Sequence, residues 1–148
     1  MATASDLKKT FNVSLTVNGA PWSGEVPIEE TLLELLRNRL HLTGTKRSCE
    51  SEVCGACTVL VDNRPMSSCN YLAFEAHKKS VITIEGVALG DELDPLQEAF
   101  IRNIGAQCGY CTPGQIMDYQ SPAKPGRRPC SLCLSGEELE LFADHDGP

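Results

Sequence analysis

Four cysteines constrain this chain more than any other feature. Cys49 and Cys54 enclose four residues, Cys54 and Cys57 enclose two, and Cys69 follows after eleven more. Three thiolates in the loop from Arg47 to Thr58, with a fourth arriving from outside it, have the spacing that holds a 2Fe–2S cluster. Such a loop must wrap an inorganic core and turn backbone N–H groups toward its sulfurs, because those hydrogen bonds help set the reduction potential. Gly55 suits that crowding, having no side chain to collide with the core. A structural zinc knot is the plainer reading, but such knots usually pair their cysteines as two separate short hooks.

The 148 residues are enough for one domain or two small ones. With 41% hydrophobic and 22% charged residues, the chain reads as a soluble globular protein. Eight cysteines is a high count for this length, and two settings would explain it. In a secreted chain they would suggest disulfides, but Met1 to Lys9 is polar and carries no apolar signal region. The expectation is therefore a reducing, cytoplasmic setting, where clustered cysteines bind metal. No stretch approaches the roughly 20 apolar residues of a membrane span. A net charge of −7 argues against nucleic acid as a partner. Much of that charge sits at the end, on Glu137, Glu138, Glu140, Asp144 and Asp146.

Along the chain, Phe11, Val13, Leu15 and Val17 alternate with polar residues and predict a strand. Asn18-Gly19 turns it, and Trp22 to Val26 return. Leu32, Leu33, Leu36 and Leu40 share a helical face, with Thr31 placed as N-cap before Glu34. After the cysteine loop, Thr58 to Val61 is a β-branched strand, Asp62-Asn63 a turn, Met66 to Tyr71 the return, and Val81 to Ile84 one more strand. A small mixed sheet crossed by one helix accounts for residues 11–86. Asp94-Pro95 opens a further helix that Gly105 stops, and the pair Cys108 and Cys111 opens another. Pro122, Pro125, Gly126 and Pro129 then bar one regular helix, and Cys130 and Cys133 follow.

Several of these stretches together resemble the small iron–sulfur subunit of the molybdenum hydroxylases, the family that includes xanthine dehydrogenase and carbon monoxide dehydrogenase. They are Thr45-Lys46, Cys54-Gly-Ala-Cys-Thr-Val59, Thr83-Ile84-Glu85-Gly86 and Gln107-Cys-Gly-Tyr-Cys-Thr-Pro-Gly-Gln-Ile-Met117. The resemblance covers residues 11–117 and implies an α+β chain. Residues 1–88 would form a ferredoxin-like β-grasp 2Fe–2S domain, residues 89–120 would begin a small helical 2Fe–2S domain, here truncated or altered, and residues 121–148 would be an atypical tail. It further implies an electron-transfer subunit of an oxidoreductase complex, passing electrons from a molybdopterin-binding large subunit toward an FAD-binding medium subunit or another acceptor. By resemblance, Cys49, Cys54, Cys57 and Cys69 ligate the cluster nearer the flavin, Cys108 and Cys111 ligate the one nearer the molybdenum, and Gln107 lies close to the pterin.

The chain departs from that pattern in two places. Many relatives have glycine where this chain has Ser48 and Glu52. Relatives also complete the second cluster with a Cys-x-Cys pair, whereas Cys130 and Cys133 are spaced Cys-x-x-Cys, with eighteen residues between Cys111 and Cys130. The expectation is that Cys130 and Cys133 do not complete the second site.

Two other functions compete. Cys108, Cys111, Cys130 and Cys133 have a zinc-site spacing of their own, which would make the chain a zinc-binding structural module. A free-standing 2Fe–2S ferredoxin-type carrier would need only the first domain. His41, His77 and His145 have no mutual spacing that suggests ligation, and Trp22 reads as core. No nucleophile with a base, no paired carboxylates and no phosphate-cradling glycine loop occurs, so no bond chemistry is expected of this chain alone. Surfaces around Tyr110 and Met117 are expected to be apolar and to need partner chains.

Overall fold

A computed structural model describes residues 9–120. Strand β1 (Thr10–Val17) and strand β2 (Ala20–Pro27) form a hairpin in register from Thr10↔Pro27 to Val17↔Ala20. Asn18 and Gly19 turn it with φ of 50° and 81°, the left-handed pair that suits a tight hairpin. Strand β3 (Thr58–Val61) and strand β4 (Arg64–Ser67) form a second hairpin through Asp62 and Asn63, again both left-handed. Strand β5 (Ser80–Ile82) lies between the hairpins, parallel to β1 and antiparallel to β3, giving the order β2-β1-β5-β3-β4.

Val13, Leu15 and Val17 of β1 point inward as their alternation predicts, and meet Val59, Val61 and Val81. Phe11 does not join them. It is half exposed and packs beside Phe74 and His77, the latter accepting a hydrogen bond from the Ser14 amide at 3.1 Å.

The predicted helix starts as read, with Thr31 and Glu34 exchanging capping-box hydrogen bonds of 3.2 and 3.0 Å. It is not a regular helix to Leu40. Helix α1 (Leu32–Glu34) widens into a π-helical turn (Leu35–Arg39), closed by the Leu40 amide donating to the Leu35 carbonyl. Leu32, Leu35 and Leu36 enter the sheet core while Leu33 packs against Cys57 and Cys69. Arg37 then donates to the carbonyls of Thr43 and Thr45, at 3.0 and 2.7 Å, holding the chain that leads into the cysteine loop.

Helix α2 (Pro95–Arg102) has Asp94 as N-cap and Pro95 in its first turn, as predicted. It ends one residue earlier than Gly105 suggests. Ile104 takes the left-handed position at φ 53°, and the Gly105 amide donates to the Phe100 carbonyl at 2.8 Å. Helix α3 (Thr112–Tyr119) packs on β3. That docking overturns one expectation, because Met117 is only 1% exposed, whereas Tyr110 is 49% exposed. Cys130, Cys133, His145 and the acidic tail lie outside the described residues. Among those described, no helix is long and apolar enough to cross a membrane.

The stretch Thr83-Ile84-Glu85-Gly86 joins the sheet to the helices. Thr83 is fully buried, its amide donates to Asn18 Oδ1, its hydroxyl accepts from Asn18 Nδ2 and donates to Glu85 Oε2 at 2.6 Å, and Glu85 Oε1 accepts the Gly44 amide at 2.7 Å. Replacing Thr83 by Val strands the Asn18 amide. Urea denaturation should show a loss of about 1–3 kcal/mol, most of it restored by Thr83→Ser; an unchanged midpoint for Thr83→Val would contradict this role.

Candidate metal centre

Each hairpin end does a particular job at the cysteine loop. The eleven residues between Cys57 and Cys69 are β3, a two-residue turn, β4 and Ser68, so the hairpin returns Cys69 to the side of Cys57. Ser68 fastens that end, its amide and hydroxyl both donating to the Cys57 carbonyl, at 3.3 and 2.7 Å, while its own carbonyl accepts from the Leu33 amide. Cys57 and Cys69 are buried together against Leu33.

Cys49 and Cys54 form a second, exposed pair. The loop curls around the Cys49 sulfur, which accepts the Ser51 amide at 3.5 Å and the Cys54 amide at 3.4 Å. Curling requires left-handed backbone at Glu50, Glu52 and Gly55, with φ of 54°, 61° and 70°. Glu52 adopts the glycine-favouring conformation at a cost of about 1 kcal/mol. Arg47 steadies the loop through ion pairs to Glu50 at 2.7 Å and Glu34 at 3.7 Å. Among the described residues, no three His, Cys, Asp or Glu side chains converge to hold one ion. Two pairs are nevertheless what a 2Fe–2S cluster requires, since each iron takes two protein ligands. The donor set and the inward-turned amides fit that group.

The Cys49 and Cys57 thiols differ in acidity. Hydrogen bonds from Ser51, side chain and then backbone, together with the Cys54 amide, draw the Cys49 thiol down to about 6. Burial pushes the Cys57 thiol up to about 11.

Cys108 and Cys111 are exposed on the turn that opens α3, and Gln107 beside them is exposed as well. The Tyr110 hydroxyl between the two cysteines donates to the Arg47 carbonyl at the start of the first loop. One helical turn after Cys111, Gly114 is buried so closely on that loop that a Cβ there would stand 2.2 Å from the Gly55 carbonyl oxygen and 2.9 Å from Ala56 Cα. Sequence reasoning quoted Gly114 but assigned it nothing. Its signal is a glycine inside a helix, which costs about 1 kcal/mol against alanine and so asks for a packing reason.

The 2Fe-2S iron-sulfur cluster binding domain family matches residues 15–81, and the 2Fe-2S binding domain family matches residues 83–136. The chain is 40% identical over 125 residues to the xanthine dehydrogenase iron-sulfur-binding subunit of Escherichia coli, covering 84% of this chain and 78% of that one. It belongs to the iron–sulfur subunit family of the molybdenum hydroxylases. Within that family it is 49% identical over 113 residues to the aldehyde oxidoreductase iron-sulfur-binding subunit PaoA of Escherichia coli, covering 76% of this chain and 49% of PaoA. The chain thus spans about half the length of that relative. Its fold matches a chain of quinoline 2-oxidoreductase from Pseudomonas putida 86 with a TM-score of 0.77 at 34% identity, covering 92% of both.

In metal-free protein the acidity difference predicts selective labelling, since the thiolate is the nucleophile. Iodoacetamide followed by peptide mass spectrometry should modify Cys49 half-maximally near pH 6, with modification falling below that pH, and should leave Cys57 unmodified until far more alkaline pH. Equal labelling of the two at pH 7 would contradict the assignment.

Proposed function

We propose that this chain is the electron-transfer subunit of a molybdenum hydroxylase-type dehydrogenase, passing electrons from a molybdopterin-binding large subunit toward an FAD-binding medium subunit. Cys49 with Cys54 and Cys57 with Cys69 would hold the first 2Fe–2S cluster, which when bound accepts and donates single electrons. The chain's own residues supply the thiolates, turn the Ser51 and Cys54 amides toward sulfur and bury one side of the site under Leu33. Gln107, exposed beside Cys108, would face the large subunit.

The observation that carries this reading is the seating of the Cys108–Gly114 segment directly on the first loop. A free-standing carrier has no use for a second cysteine pair held against its only site. For that second pair we propose that Cys108 and Cys111 supply half of a ligand set that Cys130 and Cys133 do not complete, leaving the helical domain altered.

The full chain, co-purified with its partner chains, should contain about two irons and two acid-labile sulfides per copy rather than four of each. Adding an oxidisable substrate of the large subunit should bleach its visible absorption. Four irons would overturn the proposal for the second pair, and absorption that never responds to substrate would overturn the electron-transfer role.

A further inference from the structure

The second cysteine segment touches the first loop at both ends. Tyr110 reaches the Arg47 carbonyl, two residues before Cys49, and Gly114 meets Gly55 and Ala56, the residues between Cys54 and Cys57. Between these points lie Cys49 and Cys54 and the left-handed residues Glu50 and Glu52. These exposed residues have no strand ladder of their own. The loop's other ties include the Arg47 ion pairs, the Ser51 and Cys54 amides on the Cys49 sulfur, the Lys46 amide donating to the Ala56 carbonyl, the Thr58 amide and hydroxyl on the Gly55 carbonyl and Ser68 on the Cys57 carbonyl.

The Gly55 carbonyl oxygen therefore accepts from Thr58 and is also the atom that Gly114 approaches most closely. Any side chain at 114 would have to displace backbone, because the atoms it meets are a carbonyl oxygen and main-chain carbons rather than the end of a flexible side chain. Such an approach restricts the Gly55–Ala56 peptide and accompanies the burial of Ala56, which is 3% exposed.

We propose that Gly114 and Tyr110 are positioning residues for the first centre, so that its redox properties are set partly by a helix outside the sheet domain that supplies its ligands. The inference rests on the reading that Cys49, Cys54, Cys57 and Cys69 hold a 2Fe–2S cluster. Reduction adds negative charge to such a cluster, and water admitted at the loop edge stabilises that charge. Loosening the clamp therefore raises the midpoint potential.

The test uses the full chain as purified and compares Gly114→Ala, Tyr110→Phe and, as a control, Ile101→Ala, which sits 67% exposed on α2. The readouts are iron content, redox titration of the visible absorption and the electron paramagnetic resonance spectrum of the reduced protein. The expected result is undiminished iron on the first site, an upward shift in midpoint potential and altered resonance positions in both clamp variants, larger for Gly114→Ala, with Ile101→Ala unchanged. Tyr110→Phe removes one oxygen and keeps the test open should Gly114→Ala fold poorly. A parent protein lacking any 2Fe–2S spectrum would remove the underlying reading. A parent with the spectrum, and clamp variants that melt earlier while keeping its potential and resonance positions, would overturn this inference and leave the contact purely structural.

Discussion

The rest of the structure depends on bringing Cys69 back to Cys57. A thiolate pair on one iron cannot come from adjacent residues in a strand, because successive side chains point to opposite faces. The β3–β4 hairpin solves this by returning the chain through a two-residue left-handed turn, and Ser68 ties the returning end to the Cys57 carbonyl twice. Helix α1 supplies the floor. Its π-helical widening lets Leu35 and Leu36 join Leu32 in the sheet core while Leu33 covers the cysteine pair.

The opposing acidities of Cys49 and Cys57 follow from the same arrangement. Cys57 is buried by the hairpin and α1, so ionisation without a metal is costly. Cys49 sits on an exposed loop whose donors already point at its sulfur, so it is prepared as a thiolate. In the proposed centre, Cys49 would therefore offer a thiolate readily, while Cys57 would ionise favourably only as its sulfur gained a metal.

Features carried by local chemistry were legible in the sequence. The Thr31–Glu34 and Asp94–Pro95 helix starts, the Asn18-Gly19 and Asp62-Asn63 turns and the inward alternation of Val13, Leu15 and Val17 each depend on residues within a few positions of one another. What escaped depends on contacts distant in sequence. The π-helical turn, the burial of Met117 and the tight seat of Gly114 come from packing α1 and α3 against the sheet, and no periodicity in either segment announces them. Ile104 escaped for another reason. Glycine is the usual left-handed residue after a helix, yet here the β-branched Ile104 takes that position and Gly105 follows it. The burial of Cys57 with Cys69 and the exposure of Cys49 and Cys54 were not legible, since spacing groups the four without saying which are buried together.

The central claim is that a hairpin delivers the fourth thiolate to a three-cysteine loop. It is tested most directly by Cys69→Ala, read by visible absorption together with iron and acid-labile sulfide analysis. Cys69 lies outside the loop, across the β3–β4 hairpin, but is buried beside Cys57 in the fold. The account predicts a coloured parent chain and, in Cys69→Ala, loss of the first centre's absorption, iron and sulfide together. A Cys69→Ala chain that retains the parent's full iron, sulfide and colour would contradict it.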